Sequence, residues 1–360
     1  MLEIQAQIVE KPHGPFVKRT LRLGAPRENE VLVRLVATGI CHTDLAIAAQ
    51  YAPFPLPAVL GHEGAGIVEQ VGPGVAHVAK GDHVVLTFAA CGDCLNCESD
   101  HDAYCHEFGK LNLAGHRADG TTPFEEDIAG FFFGQSSFAD YAVVNAASLV
   151  KVRDDVDLRL LGPLGCGVQT GAGAILNVLK PHPQSVVVVC GVGAVGAAGI
   201  MAAKLRSCHT IVAVDRVGSR LDIARQLGAS MVVDTSTEDL SAVIDSLGGV
   251  DVAFDTTGNP DLIHMLIEKL RSNGTFAFVG GSPRDAKVSV PLPFLVPGRK
   301  IMGITEGDSH PATFIPHLVD LYAEGRLPLE LISKCYPFDE MENAVNDARS
   351  GVTIKPILIF

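Results

Sequence analysis

The chain of 360 residues carries 28 Lys and Arg against 41 Asp and Glu, a formal charge of −13 at pH 7, and 47% of it is hydrophobic. A chain of this length divides between two packing units, and with 19% charged residues and ample Val, Ile and Leu it is not a disordered polymer. The acidic balance weighs against nucleic acid or an anionic membrane as partner.

In chain order, "MLEIQAQIVEKPHGPF" has neither the basic start nor the apolar run of an export signal, and no apolar stretch reaches the roughly 18 residues of a spanning helix. A cytoplasmic protein is expected. From Ile4 to about Val150, short runs such as "EVLVRLVA", "GAGIVEQVG", "DHVVLTF" and "FADYAVV" are broken by Gly, Pro, Asn and Asp, which predicts a strand-rich domain with irregular loops. The pattern changes near Gln169, where "VVVVCG", "VGAVGAAGIMAAKLRS", "TIVAVD", "SRLDIARQLG", "MVVD" and "DVAFDTTG" alternate apolar strands with helices. Such alternation predicts a largely parallel sheet covered on both faces. The repeat ends near Ile304, and the remainder is too short for a third domain. The expected division is therefore residues 1–168, 169–304, and a return of 305–360 to the first domain.

Of nine cysteines, Cys91, Cys94, Cys97 and Cys105 crowd together, whereas Cys41, Cys166, Cys190, Cys208 and Cys335 lie apart. An odd total clustered in this way fits metal thiolates better than a disulfide framework. "CGDCLNCESDHDAYC" reads C-x2-C-x2-C-x7-C, a tetrahedral soft-ligand set suited to a structural zinc with no open position. Iron–sulfur clusters draw on the same ligands, but their usual repeated spacing is absent.

The cofactor signal is "VVVVCGVGAVG", in which Gly191, Gly193 and Gly196 form GxGxxG after an apolar strand and at the start of an Ala-rich helix. With Ala194 and Val195 they predict a turn whose amides and helix dipole receive a pyrophosphate. Asp215 ends the next apolar strand, where a carboxylate takes a ribose diol and repels a 2′-phosphate, favouring NAD over NADP; adjacent Arg216 leaves room for compromise.

A dispersed set comprises Cys41 in "GICHTD", His62 and Glu63 in "GHEGAG", and Cys166 in "GPLGCGVQTG". Two thiolates and an imidazole make a complete protein shell for catalytic zinc with one position left open. Scattered Cys and His are also common as structural residues, and spacing alone does not bring them together. If they do converge, the glycines around His62 allow close backbone passage and Asp44 can orient its ring.

These motifs, in this order and with "GHEGAGIVEQVGPGV", "GPLGCGVQTGAGA" and the terminal "ARSGVTIKPILIF", resemble those of the zinc-dependent medium-chain alcohol dehydrogenases, whose two-cysteine, one-histidine zinc is a standard example of such a shell. The likeness spans nearly the whole chain and, through "GPLGCGVQTGAGAILN", is greatest for the aryl-alcohol (benzyl-alcohol) dehydrogenase branch. It implies an α/β protein with a GroES-like β-rich catalytic domain, a doubly wound parallel-sheet Rossmann domain, and a substrate cleft at their junction. It implies two zinc ions per subunit, the catalytic one on Cys41, His62 and Cys166 with Glu63 able to exchange onto it. It also implies NAD as cofactor, and a homodimer or homotetramer formed through the strand near Ile301. Thr43 matches a hydroxyl that relays the alcohol proton, but Ala46 stands where many relatives carry the histidine that completes the relay. His42 and Lys355 match cationic positions near the cofactor phosphates.

The resemblance favours a primary aromatic or allylic alcohol, or its aldehyde, as the small-molecule substrate. Phe54, Leu56, Phe88 and Phe294 are candidate apolar walls, and Phe131, Phe132 and Phe133 either cover the cleft or anchor a loop. The alternatives are a broad aliphatic or secondary alcohol dehydrogenase and a non-catalytic nucleotide-binding regulatory protein; the intact Cys41, His62 and Cys166 disfavour the second.

Overall fold

Along the strand Glu30–Gly39, Val31, Val33, Leu35 and Ala37 share one face and are fully buried, the period of two that a pleated strand imposes. In the computed structural model, which describes residues 1–282 and 285–360, this strand is the spine of one unit, Met1–Gly167 with Ser309–Phe360. It pairs antiparallel with Gly64–Val71 along one edge, and with Tyr141–Asn145 and then Lys355–Ile359 along the other. His83–Leu86, Leu149–Lys151 and Ser333–Pro337 extend it to seven strands. A second sheet, ordered Phe16–Leu23, Leu2–Val9, Ala58–Val59, closes over a core that includes Ile4, Ile8, Leu21, Phe88, Phe132 and Phe138. The C-terminal strand is thus an integral member of the first unit's sheet.

The other unit, Val168–Asp308, is built on Val186–Cys190, apolar and buried at every position. Its six parallel strands run in the order Met231–Asp234, Thr210–Asp215, Val186–Cys190, Val250–Asp255, Leu270–Phe278, Lys300–Gly303. Strand order reverses beside Val186–Cys190, the switch point at which doubly wound sheets receive ligands beyond their carboxyl ends. The helix Ala194–Leu205 buries every residue from Gly196 to Ala203, and such small side chains let it lie directly on the sheet; a β-carbon at Gly199 would meet the Phe254 ring at 3.2 Å. The α/β class read from the sequence, a β-rich domain with a doubly wound parallel sheet, is the one found. Among the described residues, no helix is long and apolar enough to cross a membrane.

Candidate active site

The pairing of Thr38 with Gly64 sets Cys41, just past one strand, against His62, just before the other. Cys41 caps the helix His42–Ala48, and Asp44 in its first turn accepts from the Cys41 amide at 2.9 Å and the Gly61 amide at 3.0 Å. The Asp44 carboxylate also meets His62 Nδ1 at 3.0 Å, both side chains being wholly buried. Cys166 arrives from the loop after the turn Gly162–Gly165, where Thr87 Oγ1 donates to the Gly165 carbonyl at 2.7 Å. One ligand atom from each of Cys41, His62, Glu63 and Cys166 then lies within 4.8 Å of the others.

Two observations fit this set to a metal. His62 Nε2 is buried with no hydrogen-bond partner while Nδ1 is held by Asp44, an arrangement that costs free energy unless a cation takes the lone pair. The electrostatics agree. Burial opposes a charged His62, yet Asp44 and Cys41 outweigh it and hold the imidazole's affinity for positive charge well above normal. The Cys41 thiol is lowered well below its usual range, by Cys166 first and against burial, with Lys355 and His62 assisting. The pocket thus favours thiolate and a bound cation.

Thr43 places its hydroxyl 3.7 Å from the Cys41 sulfur, and Ala46 offers no titratable group on the same helix. His42 is exposed at the helix start. Lys355 lies against the buried set. Its Nζ donates to both Glu63 oxygens at 2.8 Å and to the Ile40 carbonyl at 3.2 Å, which occupies all three N–H groups of a side chain only 2% exposed. The reason is register: Ile357 pairs with Gly39, so Lys355 falls beside Ile40 and Cys41. Burial raises the Glu63 carboxyl, and Lys355 opposes that rise.

Phe131, Phe132 and Phe133 are all buried, and they anchor a loop against the imidazole: Phe133 stacks on His62 at 4.6 Å and Phe132 meets it edge-on at 5.2 Å. Phe54 packs edge-on to Phe132 at 5.2 Å, and Phe88 is buried against Phe108. Leu56 is half-buried beside the same core, while Phe294 packs within the second unit under the Arg299 guanidinium, 4.0 Å from its ring. The glycine before His62 has a physical cause. Gly61 lies at φ +92°, and a β-carbon there would meet Phe138 at 2.5 Å.

Cys91, Cys94, Cys97 and Cys105 also gather with their sulfurs within 4.8 Å of one another. Such thiols resist ionising together: the hydrogen bond to Asp93 pushes Cys91 up to about 11 and burial pushes Cys97 to about 12, while the His106 amide leads in lowering Cys94 to about 6. A cation removes that conflict. The lobe is tied down by Asn112, which exchanges hydrogen bonds with Ala89 at 2.8 and 2.9 Å, and by Asp102, which meets His310 Nδ1 at 2.5 Å.

In the second unit, Gly191 turns at φ +88° and a β-carbon on Gly196 would lie 1.8 Å from the Gly191 carbonyl, whereas one on Gly193 would enter open space. That opening at the start of the helix Ala194–Leu205 suits an approaching phosphate. The Asp215 carboxylate accepts from the amides of Val192, Arg216 and Val217 at 2.8, 2.8 and 3.0 Å, so it braces the glycine loop at the end of its strand. Arg216 is exposed.

Fold and site together present a buried thiolate–imidazole set suited to zinc and a glycine loop suited to a dinucleotide phosphate. Residues 27–154 match the alcohol dehydrogenase GroES-like domain family and residues 194–324 the zinc-binding dehydrogenase family. The chain is 38% identical to geraniol dehydrogenase from Castellaniella defragrans, over all of this chain and 98% of the relative. Among solved structures it is 43% identical to benzyl alcohol dehydrogenase from Acinetobacter calcoaceticus, with a TM-score of 0.97 and full coverage of both chains. It is 46% identical to an alcohol dehydrogenase zinc-binding domain protein from Burkholderia ambifaria, with a TM-score of 0.97, covering 100% of this chain and 99% of that one. The chain belongs to the zinc-dependent medium-chain alcohol dehydrogenase family.

Proposed function

We propose that the protein interconverts primary aromatic or allylic alcohols and their aldehydes with NAD, the net reaction being R-CH2OH + NAD+ to R-CHO + NADH + H+. The observation that carries this reading is the buried convergence of Cys41, His62, Glu63 and Cys166 around an unpartnered His62 Nε2. In it, Cys41, His62 and Cys166 hold a catalytic zinc with Glu63 beside it, and Cys91, Cys94, Cys97 and Cys105 hold a structural one. Zinc on three protein ligands supplies Lewis acidity toward the substrate oxygen, and NAD supplies the hydride acceptor.

The chain's own residues do the rest. Asp44 holds a proton on His62 Nδ1, the tautomer that leaves Nε2 free to ligate. Thr43 Oγ1 would take the alcohol proton and pass it outward, and Ala46 supplies no base to receive it on that helix. Asp215 receives the ribose diol and selects NAD, and exposed His42 offers its ring to the pyrophosphate. Relatives named for geraniol and benzyl alcohol support an unsaturated substrate. The reading includes self-association through Lys300–Gly303, the edge strand of the parallel sheet, where Ile301 is 39% exposed and nearby Leu292 and Val296 are 78% and 82% exposed.

A panel of benzyl, allylic, short aliphatic and secondary alcohols, each with NAD and NADP, tests the assignment. The expected result is the highest kcat/KM for benzyl or allylic alcohols with NAD. A preference for secondary aliphatic alcohols rejects the substrate class, and turnover of none of them by metal-replete protein points to a non-catalytic nucleotide-binding protein.

A further inference from the structure

We propose that Gln135 is a positioning residue that sets the spacing between the two halves of the buried metal set. Its side chain, 1% exposed, donates from Nε2 to the His62 carbonyl at 3.0 Å and to the Thr87 carbonyl at 3.1 Å, while Oε1 accepts from the Gly64 amide at 3.1 Å. Two carbonyls and one amide admit only this orientation of the side-chain amide. Thr87 passes the connection on, its Oγ1 bonding the Gly165 carbonyl next to Cys166. Two side chains in series, Gln135 and Thr87, therefore join the backbone of His62 to the backbone that carries Cys166.

The surrounding segment is built to hold Gln135 still. Phe131, Phe133 and Ser136 all take left-handed backbone angles, at φ 53°, 51° and 59°, which side chains other than glycine adopt only where their neighbours force them. Ser136 Oγ donates to the Val59 carbonyl at 2.6 Å and accepts from the Phe132 amide at 3.1 Å, and the Ser137 and Phe138 amides bond the Gly61 and Leu60 carbonyls. The loop thus grips the chain just before His62, presses two rings on the imidazole and sends Gln135 past it to Thr87. Apolar packing alone needs no buried amide at that position, and each bond Gln135 makes ends on backbone next to a ligating residue or to the strand holding its loop.

This inference rests on the metal-centre reading, and the experiment separates the two. Zinc-loaded and cobalt-loaded protein is compared with Gln135→Met, which keeps the length and removes the hydrogen bonds. The variant is expected to release metal from the buried set to a chelator at least about tenfold faster, with the four-cysteine metal retained. Its cobalt d–d and thiolate charge-transfer bands should shift, a signature that loss of general stability does not produce. A folded Gln135→Met with wild-type release and wild-type bands overturns the inference. Should that variant not fold, Thr87→Val breaks the same connection at its next link; faster release from the buried set supports the proposal and an unchanged rate overturns it. Wild-type protein that binds metal only at the four cysteines refutes the metal-centre reading itself.

Discussion

Asp44 serves three partners at once, the amides of Cys41 and Gly61 and the ring of His62. Replacing it with Asn preserves the shape but removes the charge that orients and polarises the imidazole. Asp44→Asn is expected to weaken metal affinity at the buried set by about 10–100-fold. Chelator competition measures this, and wild-type affinity counts against the role. Asp215 likewise braces the glycine loop through three amides, and in the proposed reading it also receives the ribose. Asp215→Asn keeps an acceptor for the loop amides while removing the charge, and the NAD-to-NADP ratio of kcat/KM is expected to fall by about tenfold, roughly 1.4 kcal/mol. An unchanged ratio rejects Asp215 as selector. At this scale the sequence was legible where residue type dictates chemistry, as for Cys, His and Asp, and silent where backbone does the work. Gln135 has only backbone partners, so no pattern of residue types betrays it. The pairing of Lys355 with Glu63 was not legible, because its charge is visible in the sequence and its strand register is not.

At the scale of elements, the motifs read most directly are the local ones. The glycine loop spans a single strand-to-helix turn, and the four cysteines lie within one short lobe, so their spacing alone restricts their geometry. Cys41, His62 and Cys166 converge through the pairing of Thr38 with Gly64 and the seating of Gly165 on the end of His83–Leu86, neither of which a spacing encodes. The lobe and the buried set are therefore separable in experiment. In the proposed two-zinc reading, Cys97→Ser is expected to release the metal of the four cysteines and expose residues 91–105 to limited proteolysis, with the buried set still loaded. Loss of both metals together contradicts that independence. The loop gripping His62 makes a different prediction: Gly61→Ala adds a methyl at φ +92° within 2.5 Å of Phe138 and should cost about 1–3 kcal/mol. A Tm equal to wild type would show the loop to be slack.

For the molecule as a whole, alternation of apolar strand and helix made the parallel sheet legible, because that periodicity is itself the reason the sheet is buried on both faces. The return of the last strand to the first unit was legible only as a remainder too short to fold alone. Its partner, Glu30–Gly39, became visible with the register. Self-association belongs to this scale too. Ile301→Lys, which places a charge on the exposed edge strand, is expected to lower the particle mass seen by light scattering. An unchanged mass removes that edge from consideration as the contact between copies.

The Glu63 and Lys355 pair joins residues 292 positions apart, both of them buried. While the chain is being synthesised, Glu63 emerges long before its counter-charge, and a carboxylate buried without one costs about 3–5 kcal/mol. Until the final strand is delivered, the nascent first unit lacks both that counter-charge and the strand's pairing with Glu30–Gly39. A chain cut short before Lys355 is therefore expected to be less stable than the full-length one, which a lowered Tm would show.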